Sequence, residues 1–158
     1  MSEQGVEAVE GYLDAQGVEY EALEHEERFT AAAEAKAAGI EPGDAAKDLI
    51  LRDGDTYALA VIPASQRLDL AKTRDLLGAS ASLRLATEDE IGKDFERFAV
   101  GAIPPFGGLH GIRQVVDSRL LEHERVLCSA GDHAHGVLVD PNEMVRIGEA
   151  KTGDLCED

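Results

Sequence analysis

Tryptophan is missing from the 158-residue chain, and the remaining aromatics are only four Phe and three Tyr. Any core must therefore be built mainly from Ala, Leu, Val and Ile. Cysteine is scarcer still. Cys128 and Cys156 are the two present, which offers neither a disulfide framework nor a zinc ligand set. Long apolar runs are absent too. Tyr57-Ala-Leu-Ala-Val-Ile-Pro63 is far shorter than the roughly 20 residues needed to cross a bilayer. Met1-Ser-Glu-Gln has no basic start or apolar stretch of a secretory signal. The expectation is one soluble domain, cytoplasmic and without a membrane partner.

Lysine is the next deficit, with five among fifteen basic residues against thirty-two Asp and Glu, for a net charge of −17. An acidic, Lys-poor, Ala-rich surface suits concentrated salt, because carboxylates keep it hydrated. The same charge argues against DNA as a partner and against broad affinity for nucleic acid, which needs many cations on phosphates. An RNA partner would have to be met locally, with long-range repulsion screened.

What is present reads as alternating local signals. Val6, Val9, Tyr12 and Leu13 share one helical face closed by Gly17. Val18-Glu-Tyr-Glu-Ala-Leu23 alternates as a half-buried strand. Thr30 can cap an Ala-rich helix to Gly39. Asp53-Gly54 between Leu49-Ile-Leu51 and Tyr57–Ile62 signals a hairpin. Leu68–Leu77 reads as a short helix, Ser82–Ala86 as a strand, and Thr87 with Glu90 as a capping box. Strands follow at Arg113–Asp117, Arg125–Ser129 and Val137–Val139, then a helix from Pro141 to Ile147. Strands that do not strictly alternate with helices favour α+β over a doubly wound fold. The expected division is one domain over residues 1–148 and an acidic, frayed tail over 149–158.

The least ordinary stretch is Gly101-Ala-Ile-Pro-Pro-Phe-Gly-Gly108. Two prolines fix φ and remove two donors, while the glycines permit conformations that other residues resist. A stiff loop of this kind can hold backbone donors ready for developing negative charge, or can simply join two elements. Lys47 begins the hairpin, either as a solvated charge or as a cation beside that loop. His133 and His135, with Asp132 adjacent, could chelate. They lack a third ligand at a defined spacing and also read as a polar hairpin turn. No Gly-x-Ser-x-Gly nucleophile elbow, Walker loop or dinucleotide fingerprint occurs.

Taken together these segments resemble the YbaK/EbsC family, a domain also inserted in or associated with prolyl-tRNA synthetase. The resemblance spans about residues 5–147. It is carried by Val18-Glu-Tyr20, Leu23-Glu-His25, Ala46-Lys47 before Leu49-Ile-Leu51, and Ala60-Val-Ile-Pro63 with Arg67-Leu-Asp-Leu70. Leu85-Ala-Thr87-Glu88, Gly101–Gly107 and Ser129-Ala-Gly131 complete it.

The resemblance implies an α+β domain with a mixed, curved sheet flanked by helices. It also implies a trans-editing deacylase that hydrolyses the ester of a mischarged tRNA bearing Ala, Ser, Cys or Thr. The acceptor end of tRNA is the implied partner, with an aminoacyl-tRNA synthetase as a second. No metal or cofactor is implied. The family lysine falls on Lys47 and the glycine of its Gly-x-x-x-Pro loop on Gly101, the expected catalytic pair. Ala102, Ile103, Pro104, Ser129, Gly131, Gly136 and His25 are the expected substrate contacts. Three features depart from the pattern: Asp48 where many relatives have Thr, Gly136 where they carry Ser, Thr or Asp, and the acidity. These departures favour the alternative, a module of the same fold that holds an aminoacyl-tRNA end or a synthetase without turnover.

Overall fold

A computed structural model describes residues 2–158. Met1, the first residue of the expected domain, lies outside the described residues. Helix α1 (Ser2–Ala15) leads to strand β1 (Tyr20–Glu24) and helix α2 (Ala31–Ala37). Strands β2 (Ala46–Asp53) and β3 (Thr56–Pro63) follow, then α3 (Leu70–Leu77), β4 (Arg84–Leu85) and α4 (Glu88–Asp94). After the Pro-Pro loop come α5 (Gly107–His110), β5 (Arg113–Asp117), β6 (Val126–Ser129), β7 (His135–Val139), α6 (Pro141–Gly148) and β8 (Lys151–Gly153).

The local signals place their elements. Thr30 Oγ1 accepts the Ala33 N–H at the start of α2. Thr87 and Glu90 form a reciprocal capping box on α4. Strands β2 and β3 pair antiparallel around Asp53 and Thr56 as the Asp-Gly turn requires.

Two hydrogen-bonded sheets result, β1-β7-β6 and β4-β2-β3-β5-β8. The second is mixed: β2–β3 is antiparallel, whereas β3–β5 and β5–β8 are parallel. A parallel bridge between Ala45 and Leu127 joins the two sheets. This gives the curved, mixed α+β architecture expected from the sequence.

β3 explains the two-sided core. Its run is apolar on both faces because both are covered. Leu59 and Val61 meet Val9 and Leu13 of α1, Phe106, Val116 and Met144. Ala58, Ala60 and Ile62 meet Leu51, Leu77, Val115 and Leu155.

Leu155 overturns one expectation. The segment 149–158 is not frayed: β8 extends the sheet along β5, and Leu155 and Cys156 are fully buried. The buried Asp117 carboxylate accepts the Leu155 N–H at 2.8 Å, and Asp154 bridges Lys72 and Arg119. The polar composition concealed this because two apolar residues suffice to anchor a short strand. Truncation after Gly148 is expected to destabilise the protein by at least about 3 kcal/mol, from Leu155 burial and the stranded Asp117. Thermal unfolding would show it as a fall in Tm, and an unchanged Tm would contradict the docking.

Candidate active site

The Pro-Pro loop is held from both ends. Gln114, buried on β5, accepts the Gly107 N–H at 2.7 Å and donates to the Pro105 carbonyl at 2.8 Å. His110 Nε2 bonds the Pro104 carbonyl at 2.9 Å, and its ring lies edge-on to Phe95 and Phe98. Burial pushes the His110 pKa down, and because a carbonyl only accepts, the bonded Nε2 is an N–H donor there. At the other end Ala99 donates to Gly131 and Gly131 donates to Ala102. Gly131 is packed tightly enough that a Cβ would come within 3.0 Å of Gly5 and of the Phe98 ring. Gly131 therefore pins the loop.

Gly101 stands at the exposed turn of this frame with φ +87°, a conformation that L side chains resist. Among the described residues its N–H has no acceptor, whereas that of Ala102 bonds Ala99. A Cβ on Gly101 would point toward His133 Cε1, at 3.4 Å. Gly101 and Ile103 line a pocket of about 150 Å³ with Asp48, Leu49, Ile50, Leu85, Ala86 and Ile91.

This pocket opens where the sheet divides. β2 is bridged to β6 at Ala45 and paired with β4 from Leu51. Over residues 46–49 that edge has no strand partner among the described residues.

Behind the pocket lies a buried acidic cluster. Glu34 of α2 accepts the Ser129 hydroxyl at 3.5 Å, and its other oxygen is 3.8 Å from His133 Nδ1. The Phe29 ring lies 4.8 Å from that imidazole. Asp132 fixes the turn by accepting the Ala134 N–H at 2.9 Å and bonding His135 Nδ1 at 2.8 Å, which leaves His133 facing Glu34. Burial lifts the Glu34 pKa to about 7, against the pull of Ser129. Burial, with the nearby Glu34 charge, lifts Asp48 to about 8.

Three buried side-chain atoms lack a hydrogen-bond partner among the described residues: Glu34 Oε1, Asp48 Oδ2 and His133 Nδ1. An unpaired buried polar atom costs about 1–3 kcal/mol. Two of the three, Glu34 Oε1 and His133 Nδ1, face each other at 3.8 Å, so the unmet atoms are a local cost to the fold.

The expected residues divide into two groups. Gly101, Ile103 and Ser129 belong to the pocket and its acidic floor. Pro104 and Ala102 shape the loop through their carbonyls. Lys47 is not brought beside Gly101. Strand alternation sends Asp48 toward the pocket and Lys47 to the opposite face. There the Lys47 amine bonds the Gln66 carbonyl at 2.8 Å, and burial draws its pKa down.

Gly136 pairs with Ser129 and Leu23 inside the sheet, and a Cβ there would come 2.8 Å from Leu127 Cδ1. Leu127 Cδ1 is the movable end of a side chain, and the nearest backbone atom, Cys128 O, would lie at 3.2 Å. His25 bonds the adjacent Glu26 carbonyl and is not joined to the cluster.

Glu34, Gln114 and the role of His133 went unread in the sequence. One sign was available for Glu34, which shares a helical face with Ala31 and Ala38, the face that α2 turns inward.

A stiff Gly-x-x-x-Pro loop stands over a recess at a split sheet edge, an arrangement suited to an activated ester that needs little beyond alignment. Residues 25–147 match the aminoacyl-tRNA editing domain, and the chain belongs to this family of deacylases acting on the ester bond of aminoacyl-tRNA. The chain is 30% identical over 151 residues to the prolyl-tRNA editing protein ProX of Acetoanaerobium sticklandii, covering 91% of this chain and 90% of that one. A solved structure provisionally described as a trans-editing enzyme for prolyl tRNA synthetase superposes with a TM-score of 0.84 at 28% identity, covering 98% of each chain. A Marinobacter aquaeolei protein at 21% identity and TM-score 0.72, of which 30% is covered, shares the fold alone. Among the described residues no helix is long and apolar enough to cross a membrane.

Proposed function

We propose that the protein hydrolyses, in trans and in the cytoplasm, the ester of a small amino acid (Ala, Ser, Cys or Thr) mischarged on tRNA, with tRNA for proline the first candidate. The observation that carries this reading is the set of three unpartnered buried atoms behind a pocket of about 150 Å³ walled by Gly101 and Ile103. That volume is half or less of what drug-sized ligands occupy, which favours a small aminoacyl group and disfavours bulky ones. A rigid wall can reject by size where attraction cannot discriminate.

An aminoacyl ester is already activated, so alignment supplies much of the acceleration. Water's oxygen bonds to the carbonyl carbon, and the free Gly101 N–H stabilises the oxyanion. The C–O bond to ribose then breaks, and the tRNA hydroxyl leaves with a proton. Lys47 serves from the other face of β2: its amine has donors beyond the one used by Gln66. An acceptor end crossing the unpaired edge would meet Lys47 on one side and Gly101 on the other. Prolyl-tRNA synthetase is the partner favoured by the likeness to the solved structure described as a trans-editing enzyme for that synthetase.

A panel of labelled mischarged tRNAs, assayed at low and high salt, tests this. Turnover is expected for the small amino acids, with faster docking once repulsion from the −17 chain is screened. Failure on every member by a folded protein would reject the reading. Lys47→Ala is expected to lower the rate by at least about tenfold, near 1.4 kcal/mol. An unchanged rate would remove Lys47 from the site.

A further inference from the structure

The acidic floor of the pocket has a chemistry that ester hydrolysis does not itself require. Glu34, 5% exposed, turns Oε1 toward His133 Nδ1 at 3.8 Å, beyond hydrogen-bonding reach. Asp48 Oδ2 is likewise enclosed and unpartnered. Ser129 satisfies only the second Glu34 oxygen, and Asp132 is committed to Ala134 and His135. Asp48 thus lines the small pocket beside Gly101, and the facing pair of Glu34 and His133 lies behind it, with the His133 ring edge 3.4 Å from where a Gly101 Cβ would stand. Among the described residues no Lys or Arg pairs with them: Lys47 lies on the far side of β2, bonded to Gln66.

We propose that Glu34, Asp48 and His133 form a receptor for the primary ammonium group of the aminoacyl substrate. The proposal rests on the deacylase reading and names what that site recognises first. A primary ammonium carries three N–H donors and one positive charge, matching three unpartnered polar atoms and two carboxyls whose charges oppose one another. Water brings two donors and no charge. The three groups are not close enough together to close on a divalent metal at about 2.1 Å, whereas hydrogen bonds from an ammonium reach about 2.9 Å.

The ammonium of an aminoacyl ester is one carbon from the ester carbonyl. Seating it against Asp48 and Glu34 directs that carbonyl toward the Gly101 N–H. The acid pair then acts as a selector, since a substrate with a blocked amine leaves the buried acceptors empty and, once ionised, uncompensated. N-acylated aminoacyl-tRNA is refused on this ground, independently of side-chain size.

The test uses the whole protein and two non-hydrolysable probes, 3′-alanylamido-3′-deoxyadenosine with a free amine and its N-acetyl form, measured by calorimetry. The free amine is expected to bind at least about tenfold tighter, a difference near 1.4 kcal/mol. Asp48→Asn and Glu34→Gln, which keep shape, are expected to bring the two affinities within about threefold while thermal unfolding shows them folded. Equal affinities in the unaltered protein would overturn the receptor whatever the deacylation panel shows. A clear preference for the free amine that persists in both variants would overturn the assignment to these residues. Deacylation of Ala-tRNA and N-acetyl-Ala-tRNA, run alongside, reports separately on the hydrolase. Lack of turnover on both, with the binding preference intact, would sink catalysis and leave the receptor standing.

Discussion

Gly101→Ala is expected to lower kcat/KM for a mischarged tRNA by about a hundredfold or more, in a protein that still folds. Two effects combine. The backbone at φ +87° costs an L residue about 1–3 kcal/mol, and the loop can relieve that strain only by turning its N–H. The new methyl group would also point at His133 Cε1, 3.4 Å away, narrowing the space proposed for the ester. Misplacement of a reacting group by about 1 Å can cost 10²-fold, so a small relaxation suffices. Folding survives because Gly101 is exposed and the frame around it is held independently by Gln114, His110 and Gly131. Single-turnover deacylation paired with thermal unfolding would check this. A variant with kcat/KM near that of the unaltered enzyme would show that the ester does not meet this backbone.

Stability is expected to fall as pH rises from about 5 to about 9, and Asp48→Asn is expected to remove much of that slope. The folded Asp48 carboxyl has its pKa lifted from 3.8 to about 8, and Glu34 from 4.5 to about 7, chiefly by burial. Between the ordinary and the lifted values the folded state holds more protons than the unfolded chain. Stability is therefore full below the ordinary values and is lost as pH rises through the folded ones.

Other carboxylates work in the opposite direction and at lower pH. Arg84 holds Glu90 down to about 2, and Arg146 depresses Glu143. Their contribution is lost only in acid, so the fall up to about pH 8 belongs to the Asp48–Glu34 pair, joined above that by the buried Cys128 and Cys156 thiols, whose pKa values burial raises. Asn keeps the shape of Asp48 without the ionisation, so at pH 9 the variant should exceed the unaltered protein by about 1–3 kcal/mol, the cost of an unpaired buried group. Unfolding midpoints across this range decide it, and a parallel pH profile in the variant would show Asp48 to be solvated.

Features decided within a few residues were legible in the sequence. The Asp53-Gly54 hairpin, the Thr87–Glu90 capping box and the Thr30 cap are set by contacts three residues apart or fewer. The stiffness of Gly101–Phe106 follows from its prolines, although the brackets that hold it, Gln114 and His110, come from beyond the loop. Alternation along β2 correctly opposes Asp48 to Lys47. It could not say which face meets the Gly101 loop, because that depends on how β6 and β4 leave the strand. Glu34 stayed hidden because the surroundings of a carboxyl in an alanine helix are set by distant Ser129 and His133. β8 escaped for a related reason: three residues in parallel pairing leave no periodic signature, and their partner β5 lies more than thirty positions earlier.

The divided edge of β2 has an evolutionary consequence. Four separate pieces meet around that gap: α2 with Glu34, the Gly101 loop, the β6–β7 turn with His133, and the β4–α4 segment with Leu85 and Ile91. Each is anchored elsewhere by its own cap, hydrogen bond or strand, so a substitution in one wall can alter the choice of amino acid without disturbing the others or the core. Changes of preference can thus accumulate wall by wall, and descendants of a single ancestor could come to police different errors of translation on an unaltered framework.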